Sequence, residues 1–180
     1  MASCEGNGCH YPSPMIAMDT SWESICSNPL LRNLPYKIET NRHNQIVMSP
    51  ASAWHSDYQG EIAGLLKQLL PEGRVLAEAA IQTADGIKVA DVAWISKDRA
   101  RPYRRASNLP VAPGICVEVC SPGNSRAERQ GKMQLYFEKG ALEVWLCDEG
   151  GSMQFFACDH AEPLAASVMC PGFPVSGEWE

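Results

Sequence analysis

The sequence lacks an apolar segment that could cross a membrane, and it lacks an N-terminal export signal. A transmembrane helix needs about 20 consecutive apolar residues, and no run in this chain approaches that length. Residues 1–14 contain neither the basic stretch nor the apolar stretch of a signal peptide. We therefore expect a cytoplasmic protein that does not associate with membranes.

Paired metal-binding cysteines are also missing. The chain has eight cysteines, but none forms a C-x-x-C pair and no spacing is typical of a zinc ribbon. Cys4, Cys9 and His10 could contact a metal, but they are a single cluster in a stretch that we expect to be flexible, which is weak evidence for a site. We interpret the cysteines in the apolar runs as reduced, buried side chains.

An excess of basic residues is absent as well. The net charge is −6, from 15 Lys and Arg against 21 Asp and Glu. This balance counts against a protein that coats nucleic acid or an anionic membrane through bulk positive charge, although it permits a local basic patch. With 180 residues and 45% apolar content, the chain can bury one sizeable core. We predict a flexible tail over residues 1–18 and a single domain over residues 19–180.

Apolar periodicity and turn residues predict a mixed α/β architecture. A short helix near residues 21–27 precedes a hairpin of Y-K-I-E and Q-I-V-M, and a long helix follows the N-cap residue Ser52. Two strands meet at T-A-D-G, another strand covers residues 115–120, and a helix over residues 125–139 ends at Gly140. Two last strands flank D-E-G-G. This order predicts a mixed sheet flanked by helices.

Three carboxylates occupy strand positions where burial disfavours them. Asp91 lies on an otherwise apolar strand face, and Glu118 shares a face with Cys116 and Cys120. In both registers that the T-A-D-G hairpin allows, Glu78 lies on the same side of the sheet as Asp91. Convergent carboxylates repel one another unless a cation lies between them, and they favour a hard divalent ion such as Mg²⁺ or Mn²⁺.

A second interpretation of these acids is open at this stage. Each carboxylate could pair with an arginine or a lysine, or lie in water at a sheet edge. The joint presence of Asp91 and Glu118 favours a metal site, and Glu78 is a further candidate ligand.

Basic residues flank the candidate acids along the chain. Arg126, Arg129 and Lys132 follow Glu118 at three-residue steps, so they share one flank of the predicted helix. Residues 97–105 form a basic stretch that we expect to be irregular, and it falls between Asp91 and Glu118. A charge run is usually a solvated surface, but this placement suits contacts with a phosphate backbone.

Four segments of the chain resemble the Uma-type restriction endonucleases. They are I-V-M-S-P-A-S-A-W-H, V-A-D-V-A-W-I, V-E-V-C-S-P and K-M-Q-L-Y-F-E-K-G-A-L-E-V-W-L-C-D. The resemblance covers roughly residues 20 to 160. It implies the restriction-endonuclease-like fold of the P-D…(D/E)-x-K nucleases.

The resemblance also implies roles for individual residues. Asp91 and Glu118 correspond to the two motif acids, the carbonyl of Val119 would help to hold the metal, and Lys132 corresponds to a lysine on the following helix. Further recurrent polar positions of the family are occupied here by Glu39, His55, Glu78 and Tyr136.

Two positions depart from the motif. Ala90 replaces the proline that precedes the aspartate, and Cys120 stands where the wider superfamily has a lysine. The resemblance therefore makes catalysis depend on whether Lys132 reaches the acids from its helix.

We accordingly predict a Mg²⁺- or Mn²⁺-dependent endonuclease that hydrolyses DNA, in which Arg126 or Arg129 contacts a neighbouring phosphate. The alternative is a catalytically weak or inactive nucleic-acid-binding module on a nuclease fold, favoured by Cys120 and the acidic net charge. Nothing in the sequence separates DNA from RNA as the substrate. A homodimer is an implication of the resemblance alone.

Overall fold

A five-stranded mixed sheet with helices packed against it forms the centre of the molecule. The structure, a computed structural model, describes residues 21–50, 52–121, 123 and 125–177. The predicted tail over residues 1–18, with Cys4, Cys9 and His10, lies outside the described residues. The predicted α/β class with a mixed sheet flanked by helices is confirmed.

The helices and strands follow the predicted order, with one additional short helix after the fourth strand. The helices are α1 (Trp22–Ser27), α2 (Ala53–Leu69), α3 (Lys97–Ala100) and α4 (Arg126–Glu138). The strands are β1 (Tyr36–Thr40), β2 (Ile46–Pro50), β3 (Gly73–Thr83), β4 (Gly86–Ser96), β5 (Ile115–Val119), β6 (Glu143–Cys147) and β7 (Met153–Ala157). The hairpin β1–β2 forms a separate two-stranded sheet, and β1 packs against β4.

The large sheet has the strand order β3-β4-β5-β6-β7. The pair β5–β6 is parallel, and α4 forms the crossover between these two strands. The other neighbouring pairs are antiparallel: β3–β4 and β6–β7 are hairpins, and a longer segment joins β4 to β5. In the β3–β4 hairpin, Gln82 pairs with Ile87, which is one of the two predicted registers. Its tight turn ends at Gly86, whose φ of +85° suits a residue without a side chain.

The sheet separates two buried clusters. Ile62 and Leu66 of α2 pack with Trp145 and other residues of the sheet in one cluster. Tyr136 of α4 packs with Cys116 and further small residues in the other. Each of these two helices is therefore fixed to the sheet by an apolar face. No helix among the described residues is long and apolar enough to cross a membrane.

The basic stretch after β4 differs from its prediction. Residues 97–103 form the short helix α3 and a 3₁₀ turn (Arg101–Tyr103) rather than an irregular loop. Ser96 caps α3 by accepting a hydrogen bond from the Arg99 backbone. The Arg99 side chain donates to the carbonyls of Ala112 and Gly140, so it joins segments of the fold. None of the five basic residues of this stretch lines the cleft described below.

Glu143, a residue that the sequence analysis did not single out, attaches the C-terminal segment to the sheet. Its carboxylate is 2% exposed and accepts hydrogen bonds from Trp145 Nε1, Ser167 Oγ and the backbone N–H groups of Val168 and Met169 at 2.6–2.8 Å. This acid is therefore fully occupied by structural donors.

Candidate active site

Asp91 and Glu118 lie where β4 and β5 separate. The ladder between the strands begins at the pair Val92–Val117, so the next position in register would place Asp91 opposite Glu118. Instead of continuing the ladder, the N–H of Val119 donates to Asp91 Oδ2 at 2.8 Å. The two carboxylates thus take the place of a regular strand pair, and both line a cleft of about 890 Å³.

Lys37 of β1 places its ammonium group between the two acids. Its Nζ is 2.6 Å from Asp91 Oδ1 and 3.4 Å from Glu118 Oε2. Asp91 is only 1% exposed and the Lys37 side chain 12%, so this ion pair is shielded from water. One carboxylate oxygen from each acid therefore converges on a single cation position.

Lys132 reaches the acids from α4. The helix begins with a capping box, in which the Ser125 side chain accepts from the Glu128 backbone and Glu128 accepts from the Ser125 backbone. Two turns into the helix, Lys132 Nζ lies 2.8 Å from Glu118 Oε2 and 2.7 Å from Glu39 Oε1, and it donates to the carbonyl of Val89. The predicted lysine contact with the strand acid is therefore present in the geometry.

Three further side chains orient the two acids. The Tyr136 hydroxyl donates to Glu118 Oε1 at 2.7 Å, one helical turn beyond Lys132. His55 Nε2 lies 3.3 Å from Asp91 Oδ2, and Gln59, one turn later on α2, donates to the backbone carbonyl of Asp91 at 3.2 Å. His55 Nδ1 is buried and has no hydrogen-bond partner among the described residues.

The pKa values of the two acids are shifted in opposite directions, because burial and neighbouring charges balance differently at each acid. Burial favours the protonated form of Asp91, but the His55 hydrogen bond and the Lys37 charge outweigh it, so its pKa lies well below the ordinary range. For Glu118, burial outweighs the attraction of Lys132 and Lys37, so its pKa lies above the ordinary value.

The pKa values of three side chains around these two carboxylates are raised. Burial acts to lower the pKa of Lys37, but the charges of Glu118 and Asp91 dominate and raise it. The hydrogen bond to Asp91 raises the pKa of His55, and burial raises that of Tyr136, so this phenol remains a hydrogen-bond donor.

The donor set fits a divalent cation at the position of the Lys37 ammonium. Two carboxylate oxygens already face a positive charge there, and hard oxygen donors are the ligands that Mg²⁺ and Mn²⁺ prefer. Within the described ranges no group of three or more His, Cys, Asp or Glu side chains is placed to hold a metal ion, so the candidate site has two carboxylates. The pairing of each acid with a lysine, the second interpretation of the sequence, is also realised by Lys37 and Lys132.

Glu78 lies close to this group in register but not in contact with it. Because Ala77 pairs with Val92 and Ala79 with Ala90, Glu78 stands opposite Asp91 on β3. Its backbone φ is +50°, in a region that non-glycine residues rarely adopt, and its side chain is exposed at the cleft. The Glu78 side chain makes no hydrogen bond or ion pair with another described residue.

Of the two arginines of α4, only Arg129 lines the cleft. Arg129 lines the cleft, whereas Arg126 is exposed and lines a neighbouring hollow together with Arg129 and residues of β7. Cys120 borders the cleft at the end of β5, and burial raises the pKa of its thiol to about 11. Cys120 therefore supplies neither a positive charge nor a thiolate at neutral pH.

Lys37 and Gln59 were missed by the sequence analysis. Lys37 shares a strand face with Glu39, two residues on, and Gln59 follows His55 by one helical turn. These spacings place each missed residue beside a recognised one. Only the packing of β1 and α2 on β4 shows that both reach Asp91.

The mixed sheet flanked by helices has the restriction-endonuclease-like fold. The sequence profile of the Uma2 family, described as "Putative restriction endonuclease", matches residues 24–164. The chain belongs to this family, and the predicted resemblance is confirmed. Family membership and fold together support a hydrolytic nuclease.

A solved structure has the same fold. It is a "putative nuclease belonging to DUF820" from Anabaena variabilis, with a TM-score of 0.61 and 18% sequence identity, over 71% of this chain and 74% of that one. No curated protein matches this chain. At this identity the structural likeness concerns the fold.

Proposed function

We propose that the protein is a divalent-metal-dependent endonuclease that hydrolyses phosphodiester bonds of DNA in the cleft between β4, β5 and α4. One observation carries the proposal. Asp91 Oδ1 and Glu118 Oε2 converge on one cation position, with Lys132 in direct contact with the second acid. A purely structural ion pair needs no open cleft beside it, whereas a substrate does.

Asp91 and Glu118 would hold Mg²⁺ or Mn²⁺, with the carbonyl of Val119 as a further ligand. A bound divalent ion supplies Lewis-acid chemistry, because it polarises a phosphodiester and lowers the pKa of a bound water. Glu78 is a candidate to join the ligands from the exposed side of the cleft. The hydrogen bond from Val119 N–H and the contact with His55 fix the orientation of Asp91.

Lys132 supplies a fixed positive charge beside the reacting phosphate. Its contacts with Glu118 and Glu39 hold the ammonium group in one place, so it stabilises developing negative charge or orients the attacking water. Glu39 is itself anchored, since Oε1 accepts the N–H of Val89 at 2.7 Å. Tyr136 keeps Glu118 turned toward the cleft.

Arginines of α4 extend the site along the substrate. Arg129 borders the same cleft as Lys132, and Arg126 lies one turn earlier on the helix surface. Positive side chains at this spacing suit successive phosphates of a nucleic-acid backbone. They act locally within a chain whose net charge is −6.

Asp91→Asn tests the proposed function. The substitution preserves the size of the side chain but removes the charge that attracts the cation. Cleavage of plasmid DNA in Mg²⁺ or Mn²⁺ is expected to fall by at least about a hundredfold, because residues that merely support metal ligands already contribute about ten- to a hundredfold. The control is Asp57→Asn, an exposed position of α2, which should cleave like the wild type.

Wild-type protein that cleaves equally well with chelator and with metal would contradict the proposal. A second candidate is a nucleic-acid-binding module without turnover, favoured by Cys120 at the usual lysine position and by the two lysines that neutralise the acids. That module would retain DNA in a mobility-shift assay without cutting it. Single-stranded RNA in the same assays separates the two substrates. A homodimer and a cytoplasmic location remain predictions.

A further inference from the structure

Lys37 occupies the position that the proposed function gives to a metal ion. Its ammonium group touches one oxygen of Asp91 and one of Glu118 and is largely shielded from water. Its backbone belongs to β1, outside the five-stranded sheet. The same side chain therefore both neutralises the acids and covers the point on which they converge.

The attachment of β1 to β4 fixes where Lys37 begins. The Thr40 hydroxyl accepts the N–H of Ile87 at 2.8 Å, the Glu39 carboxylate accepts the N–H of Val89, and Lys88 donates to the Thr40 carbonyl. These contacts hold the C-terminal half of β1. They leave the four-carbon side chain of Lys37 as the movable part of this arrangement.

We propose that Lys37 is a built-in competitor for the divalent cation: its ammonium group holds Asp91 and Glu118 together in the metal-free protein and leaves this position when a metal binds. The inference rests on the proposed function. It adds that metal affinity is set by an exchange of one cation for another, rather than by the two acids alone.

Distances explain why the two cations exclude each other. Mg²⁺ binds oxygen ligands at about 2.0–2.1 Å, within the space that Lys37 Nζ fills at 2.6 and 3.4 Å from the same acids. Lys132 differs, because it touches only Glu118 of this pair and is also held by Glu39 and the Val89 carbonyl. Displacement therefore concerns Lys37 and leaves Lys132 in place.

Calorimetric titration with MnCl₂ provides the first test. Lys37→Met should lower the Kd for Mn²⁺ by about tenfold or more, since the competing charge is gone and the acids remain. Lys67→Met removes an exposed lysine of α2 and should leave the Kd unchanged. Lys132→Met removes a nearby charge that does not lie between the acids, so its effect should be smaller than that of Lys37→Met.

A second measurement uses wild-type protein, because Lys37→Met removes a counter-ion of a buried carboxylate and could prevent folding. The protein is treated with acetic anhydride in chelator or in saturating Mn²⁺, and modified lysines are quantified by peptide mass spectrometry. Acetylation of Lys37 should rise severalfold with Mn²⁺. Lys88, a buried lysine paired with Asp85, should react equally in both conditions.

The outcomes separate this inference from the proposed function. Equal Mn²⁺ affinities of wild type and Lys37→Met, equal tightening by Lys37→Met and Lys132→Met, or unchanged acetylation of Lys37 would overturn the inference while the nuclease proposal stands. Wild-type protein that binds no Mn²⁺ and cleaves no DNA would remove both.

Discussion

Lys132→Met is expected to reduce metal-dependent DNA cleavage by about 10²- to 10³-fold while the variant still binds a divalent metal. The fixed ammonium group lies 2.8 Å from Glu118 Oε2 but does not occupy the position between the acids. Its loss therefore removes charge stabilisation of the reacting phosphate, an effect of this size when one such group is deleted. Methionine keeps the length and the apolar part of the side chain.

Single-turnover cleavage at saturating Mg²⁺ measures this effect without a contribution from product release. Lys67→Met on α2 serves as the matched control, because it removes the same charge from an exposed position. If Lys132→Met cleaves at the wild-type rate, the helix lysine has no part in the reaction. Because Cys120 stands at the usual lysine position, the site would then have no lysine that takes part in the reaction.

Glu143→Gln is expected to destabilise the fold more than any substitution at the surface. The buried carboxylate accepts four hydrogen bonds: three hold residues 167–169 on β6, and the fourth comes from Trp145 of β6 itself. In the glutamine variant, the amide nitrogen would face hydrogen-bond donors and could not accept from them. Leaving these buried donors without an acceptor costs about 3 kcal/mol or more of unfolding free energy. For a chain of this size, that corresponds to a decrease in Tm of about 10 °C.

Thermal and urea unfolding of Glu143→Gln measure this loss directly. Glu61→Gln, at an exposed position of α2, should unfold like the wild type. Equal unfolding midpoints for all three proteins would mean that Glu143 does not attach the C-terminal segment. Because Glu143 does not line the cleft, the folded fraction of Glu143→Gln should still bind Mn²⁺ with wild-type affinity.

Much of the fold could be predicted because its elements are encoded locally. Ser52 and Ser125 cap their helices, Gly140 ends α4 with a φ of +88°, and the turn before Gly86 sets the hairpin register. Residues 97–103 were expected to be irregular. They form a short helix because Ser96 caps it and Arg99 binds two carbonyls elsewhere in the fold.

The candidate acids could be predicted because a charged residue in an apolar strand is a local anomaly. Asp91 and Glu118 were recognised in this way, and both lie at the cleft. The same criterion applies to Glu143, yet its partners are structural. Sequence pattern alone identifies a buried acid, whereas its surroundings decide between a ligand and a structural anchor.

Lys37 could not be predicted because its role depends on tertiary packing. The β1–β2 hairpin reads from the sequence as an independent unit, and its lysine has no unusual local environment. Only the contacts of Glu39 and Thr40 with β4 bring Lys37 over the two acids. The position of Glu78 illustrates the opposite case, since both predicted registers placed it on the side of Asp91, whereas its strained φ of +50° was not predicted.

The most direct test of the account is a calorimetric titration of Mn²⁺ into wild type, Asp91→Ala and Glu118→Ala under identical conditions. If these acids form one metal site, wild type binds Mn²⁺ and each variant loses measurable binding, since neither remaining carboxylate suffices alone. Circular dichroism of each variant verifies that it is folded. Equal binding by all three folded proteins would contradict the account, because the carboxylates would then be structural partners of Lys37 and Lys132.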